Sequence, residues 1–315
     1  MQEMFLGEAI RRRRLELGLT QEELCEGICQ PITVSRLENG RQTPSRNTIN
    51  ALLERLDMPA DRYHALLSKN EMEVDALQRE VTSYNVRFQN APEASKGEIR
   101  REALACHEKL LSVADPDDTL SRQLIARSRV ILGREDGLYS FQEEVSLLLE
   151  AIRMTSPHFA LDSIGSGLYT MAEIKIINQI AVAYSVAGEH IEALTIWNQL
   201  YKWMNSHFHN FPPTRAHLNM ILFNYARELS ILGQREKAIE IALEGKRLCL
   251  NYGHYYTLPG LLSILAKNYH LTGNDEKSRA LYLQSYFTAL AIEDQAGADS
   301  VREDAWTYLS MEMPD

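Results

Sequence analysis

Residues 19–45 read LTQEELCEGICQPITVSRLENGRQTPS, and this stretch carries the punctuation of two short helices and the turn that joins them. Thr20 offers an oxygen to the free N–H groups of a helix start, and Glu23, three residues on, completes a capping box. Leu24 and Ile28 share a face, and Gly27 lends flexibility near the turn. Pro31 suits the first turn of a second helix, where its missing N–H has no partner to lose. Val34 and Leu37 give that helix its core face, and Asn39-Gly40 ends it. Gln30, Thr33, Ser35 and Arg36 are left outside, and all four can hydrogen-bond to base edges or phosphates. The pattern is a helix-turn-helix.

Working outward, Leu6, Ile10 and Leu17 place apolar side chains on one face of a first helix, Met4 to Leu17, which also carries the run Arg11 to Arg14. Helix two is expected over Gln21 to Gly27 and helix three over Pro31 to Glu38. Pro44-Ser45 starts a fourth with Ile49, Leu52, Leu53 and Leu56 at helical spacing. Asp61 to Leu67 closes a five-helix bundle, and the polar run Ser68-Lys69-Asn70-Glu71 marks a boundary. With Gly18-Leu19-Thr20-Gln21, Leu24, Val34-Ser35-Arg36-Leu37-Glu38-Asn39-Gly40 and Pro44-Ser45, the segment resembles the Cro/repressor-like (Xre) family. Its short turn Gly27-Ile28-Cys29-Gln30 before Val34-Ser35-Arg36 looks like that of the peptide-responsive quorum-sensing regulators of the PlcR and Rgg kind (the RRNPP group). Arg13 departs from the pattern, because the family usually has an apolar residue there.

The resemblance implies sequence-specific binding to double-stranded DNA. Gln30, Thr33 and Arg36 would reach into the major groove, and Gln21 would clamp a phosphate from the start of helix two. Ser35 and Arg41 join the expected DNA-binding set, and Arg36 occupies a position that reads bases, where a guanidinium can donate two bonds to guanine. Arg14 and Glu38 match positions that form a structural ion pair in Xre domains. Arg11 and Arg12 are candidates for phosphate contacts.

The 315 residues, 45% hydrophobic and 24% charged, suffice for two or more domains with ample core. No apolar run approaches the ~20 residues of a membrane span, and no signal-peptide pattern is present, so a cytoplasmic protein with no membrane association is expected. Cys25, Cys29, Cys106 and Cys249 lack the second half of a zinc site and read as reduced thiols. The net charge of −10 is unusual for a DNA binder, but the distribution matters more. Residues 1–69 hold ten Lys/Arg and ten Asp/Glu, so the acidic excess lies wholly in the body, and a neutral head can bind DNA if its cations share a face.

Beyond Asp75 the chain reads helix after helix. Ala181, Gly188 and Ala193 share their spacing with Ala226, Gly233 and Ala238, and with Ala266, Gly273 and Ser278. Small residues let two antiparallel helices approach closely and the glycine ends the first of them, so each unit is a helical hairpin that must stack on its neighbours. This resembles tetratricopeptide repeats with longer helices. Val81 to Leu111 and Leu120 to Met154 are degenerate or capping repeats, separated from the clear ones by Pro157 and Gly165-Ser166-Gly167, with Pro212-Pro213 and Leu258-Pro259 at later boundaries. Asp299 to Met311 would cap the array. The expected fold is all-α: a helix-turn-helix bundle over 1–69, a linker helix over 70–80, and a right-handed tetratricopeptide-like solenoid over 81–315 for peptide binding and dimerisation.

If the first helix of each repeat lines the concave side, Lys175, Asn178 and Val182 face inward in the first clear repeat. Asn224, Arg227 and Ser230 do so in the second, and Ser263, Lys267 and His270 in the third. Asn178 and Asn224 match asparagines that bond the backbone of an extended signalling peptide in the PlcR-like family. An amide side chain has both a donor and an acceptor and holds a peptide extended without demanding its sequence. Lys175, Arg227 and Lys267 suit a peptide carboxylate. The aromatic patches Trp197 to Trp203 and Tyr252 to Tyr256 read as packing between repeats, and His207, His209 and His217 as loop histidines. No phosphate loop, nucleophile elbow or zincin pattern occurs, so no enzyme, cofactor or metal is expected. The expected protein is a homodimeric transcriptional regulator on a palindromic operator, switched by a short intracellular peptide. The alternatives are a repressor controlled by a protein antirepressor and a repeat scaffold that sequesters a partner protein.

Overall fold

The computed structural model describes residues 6–58, 69–91, 93–134, 137–207 and 218–314. The described residues form fifteen α-helices and no strand. They fall into two compact units, residues 1–183 and 184–315.

The first unit begins with α1 (Leu6–Glu16), α2 (Gln21–Cys25), α3 (Pro31–Glu38) and α4 (Arg46–Arg55). Their shared core is Ile10, Leu24, Cys25, Val34, Leu37, Ile49, Leu52, Leu53 and Leu56. The Thr20 capping box forms as expected: the Glu23 N–H donates to Thr20 Oγ1 at 3.1 Å and the Thr20 N–H to Glu23 Oε2 at 2.7 Å. Ser45 caps α4 by accepting from the Thr48 N–H. At Gly7 a Cβ would lie 1.9 Å from the Leu37 carbonyl oxygen, so only glycine lets α1 pack this closely on α3. Leu17 is not part of the core: it lies beyond the last turn of α1 and is 41% exposed, while Ala9 and Ile10 hold the buried face. Arg13, the departure from the family pattern, donates from Nε to the Leu56 carbonyl at 3.0 Å and so covers an open carbonyl at the end of α4. The expected start of the first helix at Met4 and the expected fifth helix, Asp61 to Leu67, lie outside the described residues, as do Pro212-Pro213, His209 and His217.

Next come α5 (Lys69–Asn90), α6 (Glu93–Val113), α7 (Thr119–Arg134) and α8 (Phe141–Arg153), paired as two hairpins. Residues 70–80 are the first half of an unbroken α5, and Val74 and Leu77 share a core with Val81, Cys106, Leu110 and Ile125. A turn of 3-10 helix at Ile164–Ser166 then leads to α9 (Met171–Val186), most of which belongs to this unit.

A polar chain runs through the hairpins. Ser128 donates to Asn85 Oδ1 at 2.5 Å, which leaves its oxygen to accept from His107 Nε2 at 2.9 Å. In that order of donation the imidazole carries a proton on Nε2. Burial pushes the His107 pKa down to about 4, helped by the nearby Arg129 charge. An unfolded histidine titrates near ~6.5, so between the two values the unfolded chain binds a proton that the folded chain refuses. Stability from this source is complete above about 6.5 and is lost as pH falls toward about 4. The unfolding free energy is expected to drop by about 2 kcal/mol across that window through His107 alone. A His107→Gln variant should show a shallower acid slope in urea unfolding, and an identical slope would contradict this assignment.

The second unit holds α10 (His190–His207), α11 (Asn219–Ile231), α12 (Arg235–Tyr252), α13 (Leu258–Leu271), α14 (Asp275–Ala291) and α15 (Gln295–Leu309). The repeat register is borne out. Ala181, Ala193, Ala226, Ala238, Ala266 and Ser278 are each fully buried. Gly188, Gly233 and Gly273 take φ of 84°, 72° and 85°, the left-handed conformation that ends a helix and that side chains resist. Ser278 replaces alanine at its position because its hydroxyl finds the Ala266 carbonyl at 2.7 Å. The fully buried Glu228 is satisfied by Ser185 Oγ and His190 Nδ1, each at 2.7 Å. Among the described residues no helix is long and apolar enough to cross a membrane.

Candidate functional site

The helix α3 is held from behind by a buried ion pair. Arg14 donates from Nε to Glu38 Oε1 at 2.6 Å and from Nη2 to Oε2 at 2.9 Å, and its Nη1 reaches the Leu19 carbonyl at 2.7 Å. Hydrogen bonding to Glu38 raises the Arg14 pKa above its ordinary value, so the guanidinium stays charged. Bidentate pairing of this kind fixes geometry as well as energy. Gln21, expected to clamp a phosphate, donates from Nε2 to Glu38 Oε2 at 2.8 Å and so extends the same network.

In front, Gln30, Arg36 and Arg41 are exposed, while Thr33 and Ser35 are half-buried. Arg36 makes one long bond, 3.4 Å, to Gln42 Oε1 and is otherwise extended toward solvent. Thr33 lines a cleft of about 460 Å³ together with Cys29, Gln42, Asp115, Asp117 and Asp118, so it stands beside an acidic loop and not on the open face. Ile32 is 55% exposed on α3 and was missed in the sequence because it was read neither as core nor as a hydrogen-bonding group. Its signal was position alone: it lies next to Thr33, one residue out of the Val34/Leu37 core register. Cys25 and Cys29 are free thiols, and burial pushes Cys29 up to about 12, which makes it a poor nucleophile.

Sequence reasoning also missed a set of buried bonds that joins the helix-turn-helix to the repeats within the first unit. Arg55 at the end of α4 donates from Nη1 to the Leu24 and Glu26 carbonyls at 3.0 and 2.7 Å. Its Nη2 reaches the Thr155 carbonyl at 2.8 Å and Glu173 Oε1 at 3.3 Å. Glu173 also accepts from Thr155 Oγ1, Ser156 Oγ and the Thr170 N–H, at 2.7, 2.6 and 2.6 Å. Gly27 takes φ 68°, and a Cβ there would lie 2.1 Å from the Thr155 carbonyl oxygen, so the turn before α3 is seated directly on the chain after α8.

The residues expected to line a peptide groove are divided between the units. Lys175, Asn178 and Val182 are half-buried on α9 in the first unit. In the second, Asn224 is buried and Arg227 lies over the Phe223 ring at 5.8 Å, with its pKa lowered by burial. Ser230 accepts from Asn268 Nδ2 at 2.8 Å. The third set faces the last helices: Ser263 donates to Asp304 at 2.9 Å, Lys267 lies over Tyr308 at 5.2 Å, and His270 bonds Asp275 at 2.7 Å. His207 stacks on Trp203, with ring centroids 4.6 Å apart.

Residues 6–66 match the family model described as a helix-turn-helix domain. No curated protein sequence matches the chain. Among solved structures, PlcR of Bacillus thuringiensis in complex with the peptide PapR7 and DNA aligns at 17% identity over 94% of this chain and 98% of that one, with a TM-score of 0.57. PlcR in its apo form aligns at 14% identity over 94% and 97%, with a TM-score of 0.55. The apo competence regulator ComR of Streptococcus vestibularis aligns at 15% identity over 96% and 98%, with a TM-score of 0.52. Residues 6–66 are thus a helix-turn-helix domain, and the chain around them has the fold of PlcR and ComR, a helix-turn-helix head followed by tetratricopeptide-like helical repeats.

Proposed function

We propose that the chain is a sequence-specific DNA-binding transcriptional regulator switched by a short peptide held by the repeats. The observation that carries the DNA half is that Ile32 and Arg36, one turn apart on α3, and Gln30 at its N-cap are exposed while the helix is fixed from behind by the Arg14–Glu38 pair. A recognition helix must be rigid, because base edges are read by short, directional bonds. In this reading Gln30 and Arg36 donate to bases, and Ile32 meets a thymine methyl. Ser35, Arg41 and Gln21 hold phosphates, and Thr33 joins them once the acidic loop is no longer beside it. Two heads of a homodimer read two half-sites about 34–36 Å apart, as a single small head buries too little DNA to discriminate well.

The peptide half rests on Asn178, Asn224 and Arg227, which the repeat pattern assigns to an inner face, and on the likeness to PlcR, whose structure was solved in complex with the peptide PapR7 and DNA. Each asparagine would hold a backbone unit of an extended peptide through two bonds, worth about 1–2 kcal/mol per residue. Ser263, Lys267 and His270 would contribute through their contacts with the last helices. DNA from upstream of the chain's own gene, followed by fluorescence anisotropy with and without short synthetic peptides encoded nearby, tests this. The wild type should change its DNA affinity on adding one such peptide, and Asn178→Ala with Asn224→Ala should lose that response. A response that survives in the double variant would remove the groove assignment.

A further inference from the structure

Within the first unit a cavity of about 380 Å³ opens between α4 of the head and α5, α7 and α9 of the repeats. That is the size of a small-ligand site, typically ~300–1,000 Å³. Two of its charged residues cancel, since Asp75 and Arg79 pair at 2.7 Å on successive turns of α5. Three others do not. Glu54 accepts from the Met171 N–H at 2.9 Å. Arg127 and Lys175 make no hydrogen bond or ion pair with any described residue, and Arg127 Nε is buried without a partner. Beside them Gln123 spends its Nε2 on the Ala151 carbonyl and Thr155 Oγ1, which leaves its own buried Oε1 unpartnered.

Two cations against one carboxylate leave the cavity with an excess positive charge. Burial lowers both cations, Arg127 to about 10, because their charged forms have given up water, and on Lys175 the neighbouring Arg127 charge adds to this against the pull of Glu54. Burial raises Glu54 as well, while the Met171 N–H and Lys175 favour its charged form, which competes with a bound anion for the two cations. Folded proteins pair buried charges or bind something that does, since an isolated buried ion is costly.

We propose that this cavity binds an anionic group, a carboxylate or a phosphate, seated on the Arg127 guanidinium and the Lys175 ammonium. A guanidinium offers two parallel donors to either oxyanion, and the ammonium supplies a point charge beside it. Because α4 belongs to the head while α7 and α9 belong to the repeats, an anion bound here stabilises this packing of one on the other by mass action. The cavity is walled partly by the head, so anion binding here does not depend on the peptide reading.

The full chain would be titrated at constant ionic strength with inorganic phosphate and, separately, with N-acetylglycine, which presents a carboxylate as a peptide end does. N-acetylglycinamide is the uncharged control, and binding is read by NMR chemical-shift titration. Saturable binding of at least one anion and none of the amide is expected; phosphate alone would point to a free oxyanion, and N-acetylglycine to a peptide terminus. Arg127→Gln with Lys175→Gln should weaken that binding at least tenfold. Glu54→Gln keeps an acceptor for the Met171 N–H, removes the competing carboxylate and should tighten it severalfold, so the proposal stays testable if the double variant fails to fold. No saturable binding of either anion, equal binding of the amide, or an affinity unchanged in Glu54→Gln and in the double variant would overturn it.

Discussion

Replacing Arg55 by alanine is expected to destabilise the first unit by about 3–5 kcal/mol, the cost of leaving a buried ion pair half made. The Arg55 side chain is 2% exposed and that of Glu173 is fully buried. The substitution strips a donor from the Leu24, Glu26 and Thr155 carbonyls together and leaves the Glu173 carboxylate to Thr155, Ser156 and the Thr170 N–H. Glu173→Gln should cost less, since an amide oxygen in the place of Oε1 still accepts from Arg55, Thr155 and Ser156, and only the Thr170 N–H loses its acceptor. Urea unfolding followed by circular dichroism measures the loss. Amide exchange should show α2 and the segment after α8 losing protection together, because Arg55 is bonded to both. A change below about 1 kcal/mol would mean that the head is carried on the repeats by other contacts.

Arg36→Ala should do the opposite: leave stability nearly untouched and remove specific DNA binding. The residue is exposed, and its one bond among the described residues is long. A bidentate contact to guanine is worth about 1–3 kcal/mol, and two half-sites double it to about 2–6 kcal/mol. Arg41→Ala offers the contrast. As a phosphate contact it should weaken binding to all sequences alike and lower the salt dependence by about one ion per head.

The parts of this fold that were legible in the sequence are those set by neighbours along the chain. Pro31 and Asn39-Gly40 bracket α3 because their backbone preferences act locally, and Thr20 with Glu23 marks the start of α2 for the same reason. The repeat registers were legible because close helix packing demands a small residue at a fixed interval, whichever helices are involved. Leu17 was misplaced because periodicity cannot tell that α1 ends at Glu16 and leaves the next residue in solvent. The Arg55–Glu173 bond was out of reach: it joins residues 118 positions apart, and nothing local to either announces the other. Arg127 was hidden similarly, as a lone arginine on a helix reads as a solvated charge until the structure shows its Nε buried without a partner. Ser263 and Lys267 were read as groove residues from the repeat pattern, and the pattern does not show that α15 comes to lie against them.

That α3 reads DNA sequence, with Arg36 as its main reader, is tested most directly by selecting bound sites from a pool of random duplexes with the purified full chain and sequencing them. Enrichment of a two-fold-related motif with a guanine in each half-site, lost in Arg36→Ala while that variant keeps the wild-type circular dichroism and unfolding midpoint, is the expected result. A pool that stays random with the wild-type chain, or an equal motif enriched by Arg36→Ala, would contradict it.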